Sequence, residues 1–328
     1  MSTIARELAE KKDFIVFAGT GAPLSAGVPN WHSLLKALLK VCPLENVDID
    51  KTSPEEFPDI AQKIFDSLKE RNREKDYFKT IKKIIKPKNS PCTEEQIEIA
   101  MTTNWIITTN FDDTFESTFK KILELTNTKK RIKIESLPEF SMVNLFKESI
   151  MSIIYLHGNT DEEHIIFKKD DYELYYPSVS HREDGVGVLE DYLKYIFKNY
   201  TIVFIGFSFN DFYVKEFLKK IFMELKRLDD IASTKVSYTP QIGKIKHYAF
   251  LKKLKFGNER YLIENYENFH PESEESKKVR ELINSKKLDK YLESMNIKVI
   301  RCNEYIDWIN CFEEIRELKR EVTLENGE

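Results

Sequence analysis

Short runs of consecutive apolar residues punctuate this chain at Phe14–Phe17, Trp105–Thr108, Ile153–Leu156, Thr201–Ile205, Tyr248–Leu251 and Ile297–Ile300. Such runs, lacking polar alternation, are what strands need when helices cover both faces of a parallel sheet. Between them the pattern changes to a period near 3.6, at Asp113–Leu125, Val188–Phe197, Phe212–Leu228 and Tyr305–Leu318. Strands alternating with amphipathic stretches predict an α/β chain built on a doubly wound parallel sheet. The interval Ser33–Met101 breaks the rhythm. It has no strand-like run, but apolar positions at helical spacing recur at Leu34, Leu35, Leu38 and Leu39, and again in Ile60–Leu68 and Tyr77–Ile85. A helical insertion at about 33–101 is therefore expected, with a helix-and-loop region at about 252–328 that includes the charged stretch Asn258–Lys287. The whole of 1–328 reads as one domain.

Composition adds little to this picture. Hydrophobic residues make up 41% and charged residues 32%, ordinary for a globular protein. A net charge of −4 gives no electrostatic reason to expect nucleic acid as a direct partner. Lys82-Lys83 and Lys129-Lys130-Arg131 sit among acidic neighbours and read as solvated faces. The opening MSTIARELAEKKD lacks the apolar core of a leader, and the longest apolar runs, such as Thr201–Phe209, are strand-sized. The expectation is a cytoplasmic protein with no membrane contact. Cys42, Cys92, Cys302 and Cys311 are scattered, and the histidines lack metal-ligand spacing, so neither a disulfide framework nor a metal is expected.

The candidate chemistry lies at the strand ends, where an open parallel sheet binds its ligands. The first strand runs into Gly19-Thr20-Gly21-Ala22, the second into Thr109-Asn110-Phe111-Asp112, the third into His157-Gly158, and the fourth into Gly206-Phe207-Ser208. Gly19 and Gly21 stand where a chain can turn sharply and bring bare backbone to a ligand, ahead of a helix whose N–H groups could face phosphate. Each feature has a plainer reading. Asn110 or Asp112 could cap the helix that follows, His157 could be a turn histidine bonded to backbone, Gly206 and Ser208 could form a tight strand exit, and Trp31 could be core. The plain readings leave unexplained why all fall on one edge of one sheet.

Read together, these residues resemble the sirtuin family, and within it the sirtuin-like domains of bacterial antiphage defence systems. The family's opening signature is matched by Gly19-Thr20-Gly21, then Ala22-Pro23-Leu24, then Ser25-Ala26-Gly27-Val28-Pro29-Asn30-Trp31. Its Thr-x-Asn-x-Asp, His-Gly and Gly-x-Ser motifs are matched in order by Thr109–Asp112, His157-Gly158 and Gly206–Ser208, and Asp171-Tyr172 is similar to a pair found in the defence branch. The chain also departs from the deacylating members. No cysteine pairs for a zinc ribbon lie between His157 and Gly206, His32 and Asn30 replace an arginine and an aspartate, and Thr20 and Pro23 replace smaller residues.

The resemblance implies a Rossmann-like fold without a zinc ribbon, and hydrolysis of NAD+, as substrate, to nicotinamide and ADP-ribose in abortive infection. It implies Asn110, His157 and Asp112 as the catalytic set: Asn110 on the ribose hydroxyls or attacking water, His157 accepting a proton from a pKa near 6.5, and Asp112 on the nicotinamide amide or supporting Asn110. It implies contacts to NAD+ from Gly19, Thr20, Gly21, Ala22, Gly27, Pro29, Trp31, Thr109, Gly206 and Ser208, the first turn cradling the pyrophosphate through its N–H groups. Since no sensor domain is legible after Leu318, control through a homo-oligomer and a separately encoded partner, a ring ATPase or an Argonaute-type protein, is expected. A protein deacylase or ADP-ribosyltransferase, or a non-catalytic subunit sensing NAD or ADP-ribose, are the competing expectations.

Overall fold

The computed structural model describes residues 2–11, 14–86, 92–136, 150–159, 165–176, 187–233, 247–254, 270–304 and 306–325. In chain order the elements are α1 (Ser2–Ala9), β1 (Phe14–Ala18), α2 (Trp31–Val41), α3 (Phe57–Glu70), α4 (Glu74–Ile84) and α5 (Glu94–Thr102). Then come β2 (Trp105–Thr108), α6 (Thr114–Thr126), β3 (Arg131–Ser136), β4 (Ile150–Tyr155), α7 (Lys169–Tyr175) and α8 (Gly187–Asn199). The remainder is β5 (Thr201–Ile205), α9 (Phe212–Ser233), β6 (His247–Lys252), α10 (Glu274–Ser294), β7 (Ile297–Cys302) and α11 (Ile306–Glu325).

All seven strands join one sheet in the order β3-β4-β2-β1-β5-β6-β7, and every neighbouring pair is parallel. The sheet is the doubly wound one that the apolar runs predict. From β1 the chain builds β2, β4 and β3 on one side and β5, β6 and β7 on the other, so the switch point lies at β1 and β5. Successive side chains of β1 alternate between two cores. Ile15 and Phe17 join a cluster formed with α8, α9 and the aromatic residues of α7, while Phe14, Val16 and Ala18 join one formed with α1, α5, α6 and α11. Burial of both faces is why these strands carry no polar alternation.

Three of the four helices between β1 and β2, namely α2, α3 and α4, pack around a third core, of Leu34, Leu35, Leu38, Ile60, Ile64 and Ile81. Phe111, just beyond β2, and Phe167, beyond β4, belong to that core too, so it sits over the carboxyl ends of those strands. Local signals hold these helices: Asn30 caps α2, its Oδ1 accepting from Ser33 N at 2.9 Å, and Thr93 and Gln96 form a capping box on α5.

The pattern left out β3, a sheet-edge strand whose residues before Ser136 are exposed or half-buried, and it placed Arg131 among solvated lysines. It also left out α1 and the short α7. Within the expected Asn258–Lys287 segment the described part begins at residue 270 and opens into α10; residues 258–269, and Tyr305 at the start of the last amphipathic stretch, lie outside the described residues. Among the described residues, no helix is long and apolar enough to cross a membrane.

Candidate active site

The exits of β1 and β5 touch through bare backbone. Gly19 N donates to Ile205 O, and Gly21 N to Gly206 O, both at 3.0 Å, while Ala22 N closes the turn on Gly19 O at 2.9 Å. A Cβ on Gly19 would meet Gly206 O at 2.5 Å, and one on Gly206, whose φ is +62°, would meet Ala22 N at 2.2 Å. The glycines therefore serve loop-to-loop contact. This corrects the phosphate cradle expected of the first turn: the N–H groups of Gly19, Gly21 and Ala22 are already donated to backbone carbonyls.

The β2 exit is stitched to the same turn. Thr109 N and Thr108 Oγ1 donate to Ala18 O at 3.3 and 3.0 Å, Asn110 N donates to Thr108 Oγ1 at 3.0 Å, and Asn110 Nδ2 donates to Gly19 O at 3.2 Å. With its amide spent on Gly19, Asn110 presents Oδ1 as a buried acceptor without a partner among the described residues. Asp112 Oδ1 accepts from the N–H and hydroxyl of Thr114, at the start of α6, whereas its Oδ2 is likewise buried and unpartnered. Asp112 therefore does help to start the helix, and also keeps one oxygen in reserve. Burial pushes its carboxyl up to about 6, against the hydrogen bonds from Thr114.

His157 is fully buried in an aromatic cage: Trp31 at 6.1 Å between ring centroids, Phe111 at 6.2, Tyr172 at 5.4 and Tyr176 at 5.7. Loss of water lowers its pKa to about 3, opposed by the Thr109 backbone. That corrects the unperturbed value near 6.5 expected of it. The imidazole is neutral throughout the physiological range, so it starts in the form that can accept a proton. Asp211 Oδ2 lies 3.7 Å from His157 Nε2 and accepts from Tyr172 Oη at 3.0 Å.

Two cavities flank this constellation. A small one, of about 10 Å³, is lined by Thr20, Pro29, Trp31, Asn110, Phe111 and Asp112 among others, and is no larger than about one water. His157 stands behind it, in ring contact with the lining Trp31 and Phe111. The second, of about 1130 Å³, opens over the ends of β5, β6 and β7; Gly206 and Ser208 line it, and Asn110, Asp112 and His157 do not. Size alone favours the second, but Asn110 and Asp112, which carry the unsatisfied acceptors, line the first, and chemistry decides. Gly27 takes φ +73° in the turn before α2. The strand-end residues thus share one rim, split between a nearly closed pocket and an open one.

Sequence reasoning missed Asp211, Phe111 and Tyr176. Asp211 was legible in part, since it immediately precedes α9 and follows Gly206-Phe207-Ser208-Phe209-Asn210 at a strand exit. Phe111 and Tyr176 are plain apolar positions until folding brings their rings to the imidazole. No three His, Cys, Asp or Glu side chains gather as metal ligands among the described residues.

A family model described as a SIR2-like domain matches residues 104–300, which hold the Asn110, His157 and Gly206 loops. Over 214 residues the chain is 29% identical to a protein named NAD(+) hydrolase ThsA from Acinetobacter baumannii (strain 532279), covering 63% of this chain and 39% of that one. Over 221 residues it is 23% identical to a protein of the same name from Enterococcus faecium, covering 62% and 39%. The chain thus aligns with well under half the length of either relative.

Proposed function

This chain belongs to the SIR2-like domain family, and from that premise we propose that it is an NAD+ hydrolase, releasing nicotinamide and ADP-ribose, and an effector of antiphage abortive infection. The names of its relatives support the activity. The observation that carries it to particular residues is the pair of buried, unpartnered acceptors, Asn110 Oδ1 and Asp112 Oδ2, on one small cavity at the sheet's switch-point edge. Buried acceptors left unpaired cost about 1–3 kcal/mol each, so they are kept for a donor that arrives with a ligand.

In this reading Asn110 Oδ1 accepts from a ribose hydroxyl and Asp112 Oδ2 from the nicotinamide carboxamide. Trp31 and Pro29 form the apolar wall at the nicotinamide end. As the glycosidic bond opens, positive charge grows on the ribose, and the Asp112 carboxylate is the nearby negative charge that the site supplies. His157, kept neutral by burial, takes the proton of the attacking water. Since Gly19, Gly21 and Ala22 have spent their N–H groups on backbone, phosphate contacts fall to Thr20 and to the Gly206–Ser208 side, with the adenosine in the larger cavity. A cavity of about 10 Å³ admits no dinucleotide, so Trp31 and Phe111 must shift for the substrate to enter.

An enzyme able to empty a cell of NAD+ needs restraint, and a closed pocket supplies it until something opens the site. We read residues 1–328 as one domain with a helical module at 33–101. Its release is assigned to a cytoplasmic homo-oligomer and a separately encoded partner.

The test is nicotinamide release from NAD+ by the purified chain, alone and with candidate partners. Asn110→Ala and His157→Ala are each expected to lower turnover at least about 100-fold while leaving the melting curve in place. Parental NAD+ consumption by both variants would remove these residues from the mechanism.

A further inference from the structure

Asp211 sits in the loop between β5 and α9, and every contact of its carboxylate is directional. Oδ1 accepts from Val214 N at 3.0 Å at the start of α9. Oδ2 accepts from Tyr172 Oη at 3.0 Å and faces His157 Nε2 at 3.7 Å. The Tyr172 ring stacks on Tyr213, at 4.7 Å and 21°, and meets the imidazole edge-on, so the hydroxyl that orients the carboxylate is itself fixed. Just upstream, Phe209 holds φ +56°, an uncommon conformation for a side chain of that bulk, with its ring packed on Phe204 and Phe207. The loop is held where it puts Asp211 against His157.

The groups facing the imidazole can be named by element. The start of α2 contributes Trp31, the β2 exit contributes the Thr109 backbone and Phe111, α7 and the residue capping its C-terminus contribute Tyr172 and Tyr176, and the loop before α9 contributes Asp211. Asp171, beside Tyr172, is paired with Lys168. Of the groups meeting the ring, Asp211 is the one carboxylate among the described residues.

We propose that Asp211 is the positioning residue for His157. Its carboxylate takes the Nε2–H, selecting the tautomer whose Nδ1 lone pair accepts the proton, and then neutralises the imidazolium. The proposal rests on the reading of His157 as the base. In the step itself a water O–H bond breaks and its proton goes to Nδ1. The hydroxide oxygen bonds to the ribosyl carbon, and the electron pair of the C–N bond leaves with nicotinamide. At 3.7 Å the pair is longer than a hydrogen bond, and a sub-ångström approach on substrate binding closes it. Tyr172, whose place in the defence-type pair had no chemical role, becomes the group that aims the carboxylate.

Two readouts test this. With histidine labelled by 15N, the two-bond proton–nitrogen spectrum of the parental chain should show His157 as the Nε2–H tautomer near neutral pH, and Asp211→Asn should abolish that preference. This measurement needs no turnover. In nicotinamide release, Asp211→Asn should lower kcat about 100-fold with KM held and displace the acid limb of the pH profile; Asp211→Glu should restore part of kcat, and Tyr172→Phe should give a smaller loss. An Nδ1–H tautomer in the parental chain overturns the proposal. So does an Asp211→Asn variant with parental kcat and pH profile while His157→Ala is inactive, and that result leaves the hydrolase reading standing. Parental turnover by His157→Ala removes this proposal together with the reading of His157 as the base.

Discussion

Asp112 shows what a buried carboxylate does to its host. Its folded-state pKa of about 6 exceeds the ordinary 3.8, so the folded chain binds this proton more tightly than the unfolded chain does. The penalty is therefore absent below the ordinary value, grows as pH rises through the interval, and is complete above pH 6, at about 3 kcal/mol for a two-unit shift. Asp112→Asn keeps an oxygen for Thr114 and removes the charge. It is expected to gain about 1–2 kcal/mol at pH 8 and nothing at pH 4, while losing NAD+ turnover. Thermal melts at the two pH values check the first part; equal shifts at both would show that charge burial is not the cause. His247 has the opposite sign. Its Nδ1 accepts from Ile202 N at 3.1 Å between Phe197 and Phe222, and burial lowers it to about 3. The stability that comes from keeping it neutral is present above the ordinary value of 6.5 and is lost as pH falls below that.

At the scale of elements the joint between β1 and β5 is the most constrained point. Gly206→Ala combines a left-handed backbone with a Cβ that meets only backbone atoms, Ala22 N and Gly21 C, which no rotamer change relieves. The expected loss is at least about 3 kcal/mol, read as a fall in denaturation midpoint or as failure to accumulate folded protein; a variant of parental stability would mean that the two turns part easily. The same joint marks where the sequence stopped being legible. The glycine turn was visible in Gly19-Thr20-Gly21, but the destination of its N–H groups depends on Gly206, far away along the chain. Strands buried on both faces were legible because β1, β2 and β5 are continuous apolar runs. β3 was not, because an edge strand alternating Arg131, Lys133 and Glu135 with Ile132 and Ile134 resembles a solvated face. α7 buries only Tyr172 along its helical turns, too sparse a stripe to be noticed. In the site, residue types at strand exits were readable, whereas the closed cage around His157 and its proximity to Asp211 are products of packing.

Across the whole molecule, the helices between β1 and β2 are tied to the cover of the imidazole. Lys169 Nζ pairs with Asp59 at 2.9 Å, Asp170 N donates to Gln62 Oε1 at 3.1 Å, and Lys168 lies 5.2 Å from the Phe65 ring centroid. These contacts join α3 to the start of α7, which carries Tyr172. Half-exposed contacts of this kind contribute about 0–1 kcal/mol each, enough to bias an opening without preventing it. The double variant Asp59→Ala, Gln62→Ala is expected to speed hydrogen exchange in α7 and raise nicotinamide release by about 2- to 5-fold. Unchanged exchange in α7 would show that the two helices move independently of these contacts.

The backbone clasp between the two strand exits also decides which side of the site can adapt. It welds the halves of the sheet along the seam assigned to the dinucleotide, so the floor beneath a guest has no give. Accommodation of shape falls to the roof, to Trp31 and the aromatic residues of α7. Any molecule that opens this site or jams it shut will do so from above.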